Sequence, residues 1–484
     1  MFKKQTADKD RFLILGRSES MTVIAEELAR SSAVQRSEIV LASRFDPGES
    51  VKSHFPVPPA YIQGNPAETA FLETLKPASA RRILVNLTGA PDGDLQALRI
   101  ATALQTVLAS AKDGPDILIL VDSPEYRAKI QTLVVPKMKV FCPIEAFPAI
   151  AAQSCRQDRL SLIFDELFSY HGNEIYRIPG KPMKGLSWTQ VLRAFANACP
   201  VGLAQNGRLS INPKQSVVIE EDDELYVLAG NPDDIQIAQP ILPAPDNRDI
   251  SPDSIETTHP QNFLFLGWNP LCPSILADLA HYAPKGSAVR IVCADNPGFN
   301  QSESPKISIQ WTEGDPRDKA VIAAADLENW ENIVIPGSAF PASSEQMEIL
   351  HTLAGLMAGP GLRNHITTLT GTPAPEYYPE DRILSTDILY KLAVQLLIQP
   401  DLFDVFRELI QPIGTEIYLK PAENYVTIDR PVDFYTILES ARRKNETAIG
   451  YFLEENRKIA LNPVKTEKIS FYHYDKIIVL SDEH

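Results

Sequence analysis

Cysteine is scarce in this chain, and the few cysteines do not pair by spacing. The 484 residues include five cysteines, which lie far apart: Cys142, Cys155, Cys199, Cys272 and Cys293. Their odd number and the lack of a CxxC pair exclude a disulfide framework and a zinc site made from paired cysteines. This usage is typical of a chain in a reducing compartment, with its thiols buried as small apolar groups.

Long apolar runs are also missing. No stretch approaches the ~18 residues that a membrane-spanning helix requires. The first residues, Met1-Phe2-Lys3-Lys4-Gln5-Thr6, lead into further charge rather than into the apolar core of a signal peptide. We therefore expect any action of this chain at a membrane to take place outside the lipid.

The sequence has neither an excess of basic residues nor a known enzyme motif. The chain has 62 acidic and 46 basic side chains and a net charge of −16, whereas a nucleic-acid surface needs clustered lysine and arginine. Nucleic acid is therefore not an expected partner. The sequence contains no GxSxG, HExxH or GxxxxGK[ST] motif, and we predict that the chain is not an enzyme.

What the sequence does contain is a long internal repeat. Glu408 follows Glu166 by 242 positions, and Glu416 follows Glu174 by the same distance. Two further pairs of segments match: Leu209-Ser210-Ile211-Asn212-Pro213 with Ile459-Ala460-Leu461-Asn462-Pro463, and 223–228 with 475–480. A unit of this length is too long for a solenoid repeat and indicates a duplicated domain.

Each copy begins with alternating strand and helix patterns. Apolar runs such as Phe12–Leu15 and Ile39–Ala42 are typical of strands buried on both faces of a parallel sheet, which predicts a doubly wound, Rossmann-like domain. A small α+β unit follows, with a helix at 188–198 and a hairpin at Asn206-Gly207. The predicted domains are 11–143, 144–230, a proline-rich linker at 231–261, 262–384 and 385–484.

The turns at the carboxyl ends of the first strands are candidate ligand sites. In the first copy they supply Gly16, Arg17, Ser18, Arg44, Gly64 and Asn65; in the second they supply Gly267, Asp295, Gly314 and Asp315. Only the first glycine of the dinucleotide motif is present after the first strand, and Ser43-Arg44 replace the acid that would hold a ribose. NAD or another nucleotide is thus disfavoured but stays open, and Arg17 and Arg44 suit a different anion.

Four glutamates recur at the junction between large and small units. They are Glu166, Glu174, Glu408 and Glu416. Their recurrence suggests either a cation held by carboxylate oxygens or a contact between subunits. Solvation of helix ends explains the same recurrence at least as well.

Several short motifs resemble one family. These are Gly172-Asn173-Glu174, Ser210-Ile211-Asn212-Pro213, Phe265-Leu266-Gly267-Trp268, Phe406-Arg407-Glu408-Leu409, Lys420-Pro421-Ala422-Glu423 and Ala448-Ile449-Gly450-Tyr451. Together with the duplicated architecture, they resemble the tandem RCK domains in the cytosolic part of CASTOR/POLLUX ion channels. The likeness extends over essentially the whole chain from Arg11.

The resemblance implies a regulatory role rather than a catalytic one. It implies a homotetrameric ring of eight RCK domains on the cytoplasmic face of a membrane, joined to a membrane pore domain and regulated by Ca²⁺. A first alternative is a free-standing TrkA-like subunit that binds a nucleotide and regulates a separate K⁺ transporter. An NAD-linked oxidoreductase built on the same sheet is a second alternative.

Overall fold

The computed structural model describes residues 10–482, except for residues 33, 35–36, 56–57, 112–113, 238–246, 252–258, 299–306, 338–343, 358–363, 371–382 and 413. The described chain divides into two compact units. Unit 1 contains the described residues up to Phe147 together with Phe168–His171 and Thr386–Phe403. Unit 2 contains Pro148–Leu167, Gly172–Ser385 and the described residues from Asp404 onward.

Unit 1 is built on a sheet of six parallel strands. The strands are β1 (Arg11–Leu15), β2 (Glu38–Ser43), β3 (Ala60–Gln63), β4 (Arg82–Val85), β5 (Asp116–Leu120) and β6 (Met138–Phe141). The helices that follow them are α1 (Met21–Arg30), α2 (Glu49–Lys52), α3 (Thr69–Thr74), α4 (Gly93–Val107) and α5 (Pro124–Gln131). The strand order is β3-β2-β1-β4-β5-β6, and β1 and β4 are buried because helices cover both faces of the sheet.

Two helices lead from the first sheet to a small antiparallel sheet in unit 2. The helices are α6 (Pro143–Arg156) and α7 (Leu160–Phe168). The sheet has the order β7-β10-β8-β9, with β7 (Glu174–Pro179), β8 (Cys199–Gln205), β9 (Arg208–Ile211) and β10 (Glu224–Ala229). The predicted hairpin is confirmed, since Asn206 and Gly207 alone join β8 to β9 with φ of 53° and 72°.

The helix predicted at 188–198 is shorter in the structure. Helix α8 comprises only Trp188–Val191 and begins with a capping box between Ser187 and Gln190. Phe195 then forms an isolated bridge with Ile237. Its side chain stays in the apolar core although its backbone leaves the helix, so apolar spacing alone overestimated the helix.

The second copy starts with another sheet of six parallel strands, which lies in unit 2. Its strands are β11 (Asn262–Leu266), β12 (Ser287–Cys293), β13 (Ile307–Glu313), β14 (Asn332–Ile335), β15 (His365–Thr370) and β16 (Ile383–Ser385). Helices α9 (Cys272–Tyr282), α10 (Lys319–Ala323) and α11 (Ser344–Leu356) connect them. The order β13-β12-β11-β14-β15-β16 repeats the order of the first sheet.

A second small sheet completes unit 2. After α12 (Asp387–Ile398) and α13 (Phe403–Ile410) come β17 (Glu416–Pro421), β18 (Pro431–Asp433), α14 (Phe434–Arg443), β19 (Thr447–Leu453), β20 (Lys458–Leu461), β21 (Lys468–Ser470) and β22 (Lys476–Ser481). The order β17-β22-β19-β20 again repeats that of the first copy, and β18 pairs with β21.

The helices after each large sheet pack on the large sheet of the other copy. In unit 1, Arg82 on β4 donates to the carbonyls of Leu397 and Ile398 at the end of α12, over 2.8 and 2.6 Å. In unit 2, His365 on β15 lies 2.7 Å from the carbonyl of Ser154 on α6. Each large sheet is thereby completed by a helix from the other half of the sequence.

The described parts of the predicted linker contact the small units. Ile237 bridges to Phe195, and Ile250 bridges to Val426. The amide of Ser251 also donates to the carbonyl of Tyr425 over 3.1 Å. These residues of the linker therefore belong to the fold of unit 2. The predicted domain bounds themselves stay a prediction.

Candidate ligand-binding site

A cleft of about 520 Å³ lies at the carboxyl ends of β1 to β4 in unit 1. Five of the six residues predicted for the first copy line it: Gly16, Arg17, Ser18, Arg44 and Asn65. Gly64 is not among the lining residues. A Cβ atom there would lie 2.0 Å from the ring of Phe71, so this glycine allows close packing of α3 against the strand end.

The floor of the cleft is a buried polar network after β4. The side-chain amide nitrogen of Asn86 donates to the hydroxyls of Ser18 and Ser20, over 2.7 and 3.1 Å. The hydroxyl of Thr88 donates back to the Asn86 carbonyl oxygen over 2.8 Å. Gly16, at φ +106°, passes directly over this network, and a Cβ atom there would lie 2.6 Å from the Asn86 backbone oxygen.

The wall beyond the floor is held by two aspartates. The carboxylate of Asp122 accepts a hydrogen bond from the amide of Gly89 over 2.8 Å, and the carboxylate of Asp94 accepts one from the amide of Asp122 over 2.8 Å. Burial raises the pKa of the Asp122 carboxyl. Helix α4 begins at Gly93, where only glycine fits, because a Cβ atom would lie 2.2 Å from the Leu87 carbonyl oxygen. The loop between β4 and α4 is thus fixed at both ends.

The mouth of the cleft combines charge with an aromatic ring. Arg17 donates to the carbonyl of Asp46 over 3.2 Å, whereas the exposed Arg44 guanidinium has no hydrogen bond or ion pair to any residue that the structure describes. Phe45 beside it is 70% exposed. The carboxylates of Glu19 and Asp92 lie on the same lining. Such a mouth suits a small ligand with an anionic group and an apolar ring.

In the second copy, three of the four predicted residues, Gly267, Gly314 and Asp315, are engaged in local structure. Gly267, at φ +107°, has the backbone of Gly337 at 3.0 Å from the position of a Cβ atom, and Gly314 has a Val321 methyl at 2.6 Å. Asp315 pairs with Arg317 at 2.7 Å, and this hydrogen bonding lowers the pKa of the Asp315 carboxyl. The carboxylate of Asp295 is exposed. None of these four residues is among those that line the cleft of unit 1.

Each of the four glutamates predicted to hold a cation has a partner within the chain: three accept a hydrogen bond and one forms an ion pair. Glu166 accepts from the Asn173 amide over 3.2 Å, Glu174 from the Tyr176 hydroxyl over 3.0 Å, Glu408 from the Ile211 amide over 3.5 Å, and Glu416 pairs with Arg156 at 3.3 Å. Burial raises the pKa of the carboxyls of Glu166, Glu408 and Glu416. In the described part of the chain, no three or more histidine, cysteine, aspartate or glutamate side chains form a group that could hold a metal ion.

Comparison with known proteins points to one group of channels. Residues 147–244 match a family model described as Castor and Pollux, part of voltage-gated ion channel. A probable ion channel POLLUX of Arabidopsis thaliana is 21% identical in an alignment that covers 99% of this chain and 65% of that protein. The ion channel CASTOR of Lotus japonicus is 22% identical, with 99% and 63% covered.

The chain is similar in sequence to the CASTOR/POLLUX ion channels. The resemblance indicated by the sequence motifs is therefore confirmed. The chain spans less than two thirds of the length of these two channels. Within its described residues, no helix is long and apolar enough to cross a bilayer.

Structural comparison supports the predicted fold class. The solved gating ring of human SLO3 matches 97% of this chain and 99% of its own chain, with a TM-score of 0.66 and 13% sequence identity. The expected fold class is confirmed: two tandem units, each with a Rossmann-like parallel sheet followed by a small α+β subdomain.

The two Asn-Pro segments, at Asn212 and Asn462, join the two small sheets of this chain reciprocally. Asn212 donates to the carbonyl of Asn445 over 2.9 Å, and its counterpart Asn462 donates to the carbonyl of Asn197 over 3.0 Å. Both asparagines have positive φ, 49° and 44°, a conformation that asparagine tolerates better than most residues. We name Asn212 and Asn462, with these two acceptors, the asparagine clasp.

A second reciprocal pair supports the asparagine clasp. Asn173 donates to the carbonyl of Leu461 over 3.0 Å, and Thr415, the matching residue of the second copy, donates to the carbonyl of Ile211 over 2.9 Å. These contacts explain why the motifs recur in both copies. Their shared role in the structure is to hold the two small sheets together.

Proposed function

We propose that this chain is the ligand-sensing regulatory region of a cation channel. The observation that carries the proposal is the alignment of 99% of the chain with proteins named as ion channels. The likeness in fold to a gating ring supports it. In this proposal four chains assemble into a ring of eight RCK units at the cytoplasmic face of a membrane and act on a pore domain or a separate membrane subunit.

The cleft of unit 1 is the proposed sensor. A small anionic ligand with a flat ring would place its charge at Arg17 and Arg44 and its ring against Phe45. If the ligand binds one conformation of the ring more tightly than another, the difference in binding free energy is available for gating. No residue of the chain performs a covalent reaction in this role.

The assembly is tested by the mass of the purified chain in solution. Light scattering should give four times the chain mass of 53.6 kDa, with dilution moving the population towards smaller species. A monomer at all concentrations, with or without ligand, would contradict the ring.

The ligand is tested by calorimetry with AMP, which has both an anion and a ring, and with inorganic phosphate, which has only the anion. AMP should bind more tightly than phosphate, and Arg44→Gln should weaken both. Arg81→Gln is the matched control, because Arg81 is exposed and pairs with Asp10 away from the cleft. Equal binding by wild type and Arg44→Gln would remove Arg44 from the site.

Two other ligands belong to the same experiment. Ca²⁺ is the cation implied by the resemblance, and its heat of binding should fall in Glu166→Gln and Glu174→Gln if these carboxylates hold it. Tight binding of NAD would favour the TrkA-like subunit instead. Dehydrogenase activity with NAD would overturn the regulatory proposal.

A further inference from the structure

Helix α12 comes from the second copy but lies against the floor of the first copy's cleft. The hydroxyl of Tyr390 on α12 donates to the hydroxyl oxygen of Thr88 over 3.4 Å. Thr88 lines the cleft and is buried. A side chain about 300 positions away in sequence thus contacts the candidate ligand site from behind.

The contact is one end of a directional chain of hydrogen bonds. Tyr390 donates to Thr88, Thr88 donates its single hydroxyl proton to Asn86, and Asn86 donates to Ser18 over 2.7 Å. Ser18 also lines the cleft. Because a hydroxyl group has one proton, Thr88 cannot donate to a ligand and to Asn86 at the same time.

We infer that Tyr390 couples occupancy of the cleft to helix α12. The inference rests on the proposed function, since it requires a ligand in the cleft. A ligand oxygen that accepts the Thr88 proton turns this hydroxyl away from Asn86 and reorients the lone pair with which the Thr88 oxygen accepts from Tyr390, leaving Ser20 as the other hydrogen-bond partner of Tyr390. The attachment of α12 to the floor of the cleft is then weakened.

A change at α12 can reach the second small sheet through the segments that follow α12 in the chain. Helix α12 continues through residues 399–402 into α13, and α13 leads to β17 of the second small sheet. The first copy's cleft would therefore act on chain segments of the second copy without a second ligand. Tyr390 is a positioning residue in this scheme, because it contacts Thr88 rather than the ligand.

The expected size of the coupling follows from one neutral hydrogen bond. A bond of ordinary length contributes about 1 kcal/mol, which corresponds to roughly a fivefold change in affinity; at 3.4 Å the Tyr390 bond contributes no more than this. By reciprocity, removing the Tyr390 hydroxyl should strengthen AMP binding by up to this factor, because the variant has already lost the bond that ligand binding weakens.

The test is hydrogen–deuterium exchange of the peptide covering 387–398, with and without saturating AMP. In the wild type, AMP should raise the exchange rate of this peptide at least twofold. In Tyr390→Phe the rate should be high without ligand and should not change with AMP. Tyr61→Phe is the matched control, because the Tyr61 hydroxyl donates to the Ser43 carbonyl over 3.2 Å rather than to Thr88; it should keep the wild-type response.

The outcomes separate the inference from the proposed function. If AMP binds but α12 does not respond, or responds equally in Tyr390→Phe, the inference is wrong and the cleft remains a ligand site. If neither AMP nor phosphate binds, the proposed cleft is wrong and the inference falls with it.

Discussion

Replacing Asn212 by alanine tests the asparagine clasp most directly. The residue is 8% exposed, and its side chain donates to the Asn445 carbonyl and accepts from the Thr447 hydroxyl over 2.8 Å. Two lost hydrogen bonds cost about 1 kcal/mol each, and alanine at a φ of +49° costs about 1 kcal/mol more. We expect the free energy of unfolding to fall by about 3 kcal/mol.

Two matched variants divide this loss into its parts. Asn212→Gly tolerates the positive φ but lacks the hydrogen bonds, so it should lose about 2 kcal/mol. Asn206→Ala should lose only about 1 kcal/mol, because Asn206 has a φ of 53° in an exposed hairpin. All three substitutions lie in unit 2.

Urea unfolding followed by tryptophan fluorescence suits this comparison. The four tryptophans, Trp188, Trp268, Trp311 and Trp330, all lie in unit 2, so the signal reports the unfolding of that unit. Shifts of the midpoint at constant slope give the differences in free energy. A loss in Asn212→Ala no larger than in Asn206→Ala would refute the clasp as a stabilising contact.

Three further substitutions have defined expectations. Arg82→Met removes both donors to the end of α12 and should lower the free energy of unfolding of unit 1 by about 2 to 4 kcal/mol. The control Arg81→Met, at an exposed position, should change this free energy little. Thermal unfolding followed by circular dichroism, with proteolysis at 386–403, would measure both variants. Arg156→Met leaves the buried carboxylate of Glu416 without its ion pair and should cost about 3 to 5 kcal/mol in urea unfolding, which Arg156→Met combined with Glu416→Gln should largely restore. Burial acts to raise the pKa of Asp158, but the hydrogen bond and charge of His365 and the charge of Arg159 outweigh it and lower the pKa to about 2. Its contribution is present above the unfolded pKa near 3.8 and is lost as pH falls towards 2; since the side chain is 38% exposed, the loss should be at most about 1 kcal/mol and should be absent from an acid titration of Asp158→Asn.

The sequence predicted the features that depend on local pattern. Buried strands such as β1 and β11 are continuous apolar runs closed by glycine, and the repeat of such runs predicted two matching sheets. Five cleft residues followed from the rule that ligands bind at the carboxyl ends of parallel strands. Asn86 and Thr88 obey the same rule after β4, and polar residues directly behind a buried strand were the signal that could have found them.

The remaining features depend on contacts that no local pattern records. Arg82 looks like an ordinary polar residue at the start of a strand, yet it is buried against a helix more than 300 positions away. The partners of the four glutamates were equally hidden: Glu416 faces Arg156 from a different copy of the repeat. Recurrence of a carboxylate in both copies reflected a shared structural position, and it did not indicate what each carboxylate binds.

The membership of α12 in unit 1 has a consequence for synthesis on the ribosome. Unit 1 lacks its last piece until residue 403 has been made, 256 residues after Phe147 (403 − 147). At about 5 to 20 residues per second, that interval lasts roughly 10 to 50 seconds. During this interval, the nascent first sheet exposes the surface that α12 later covers. The acceptors of Arg82, the carbonyls of Leu397 and Ile398, have not yet been synthesised. Chaperones that bind apolar surface should therefore associate with the nascent chain in this window and be released once α12 emerges.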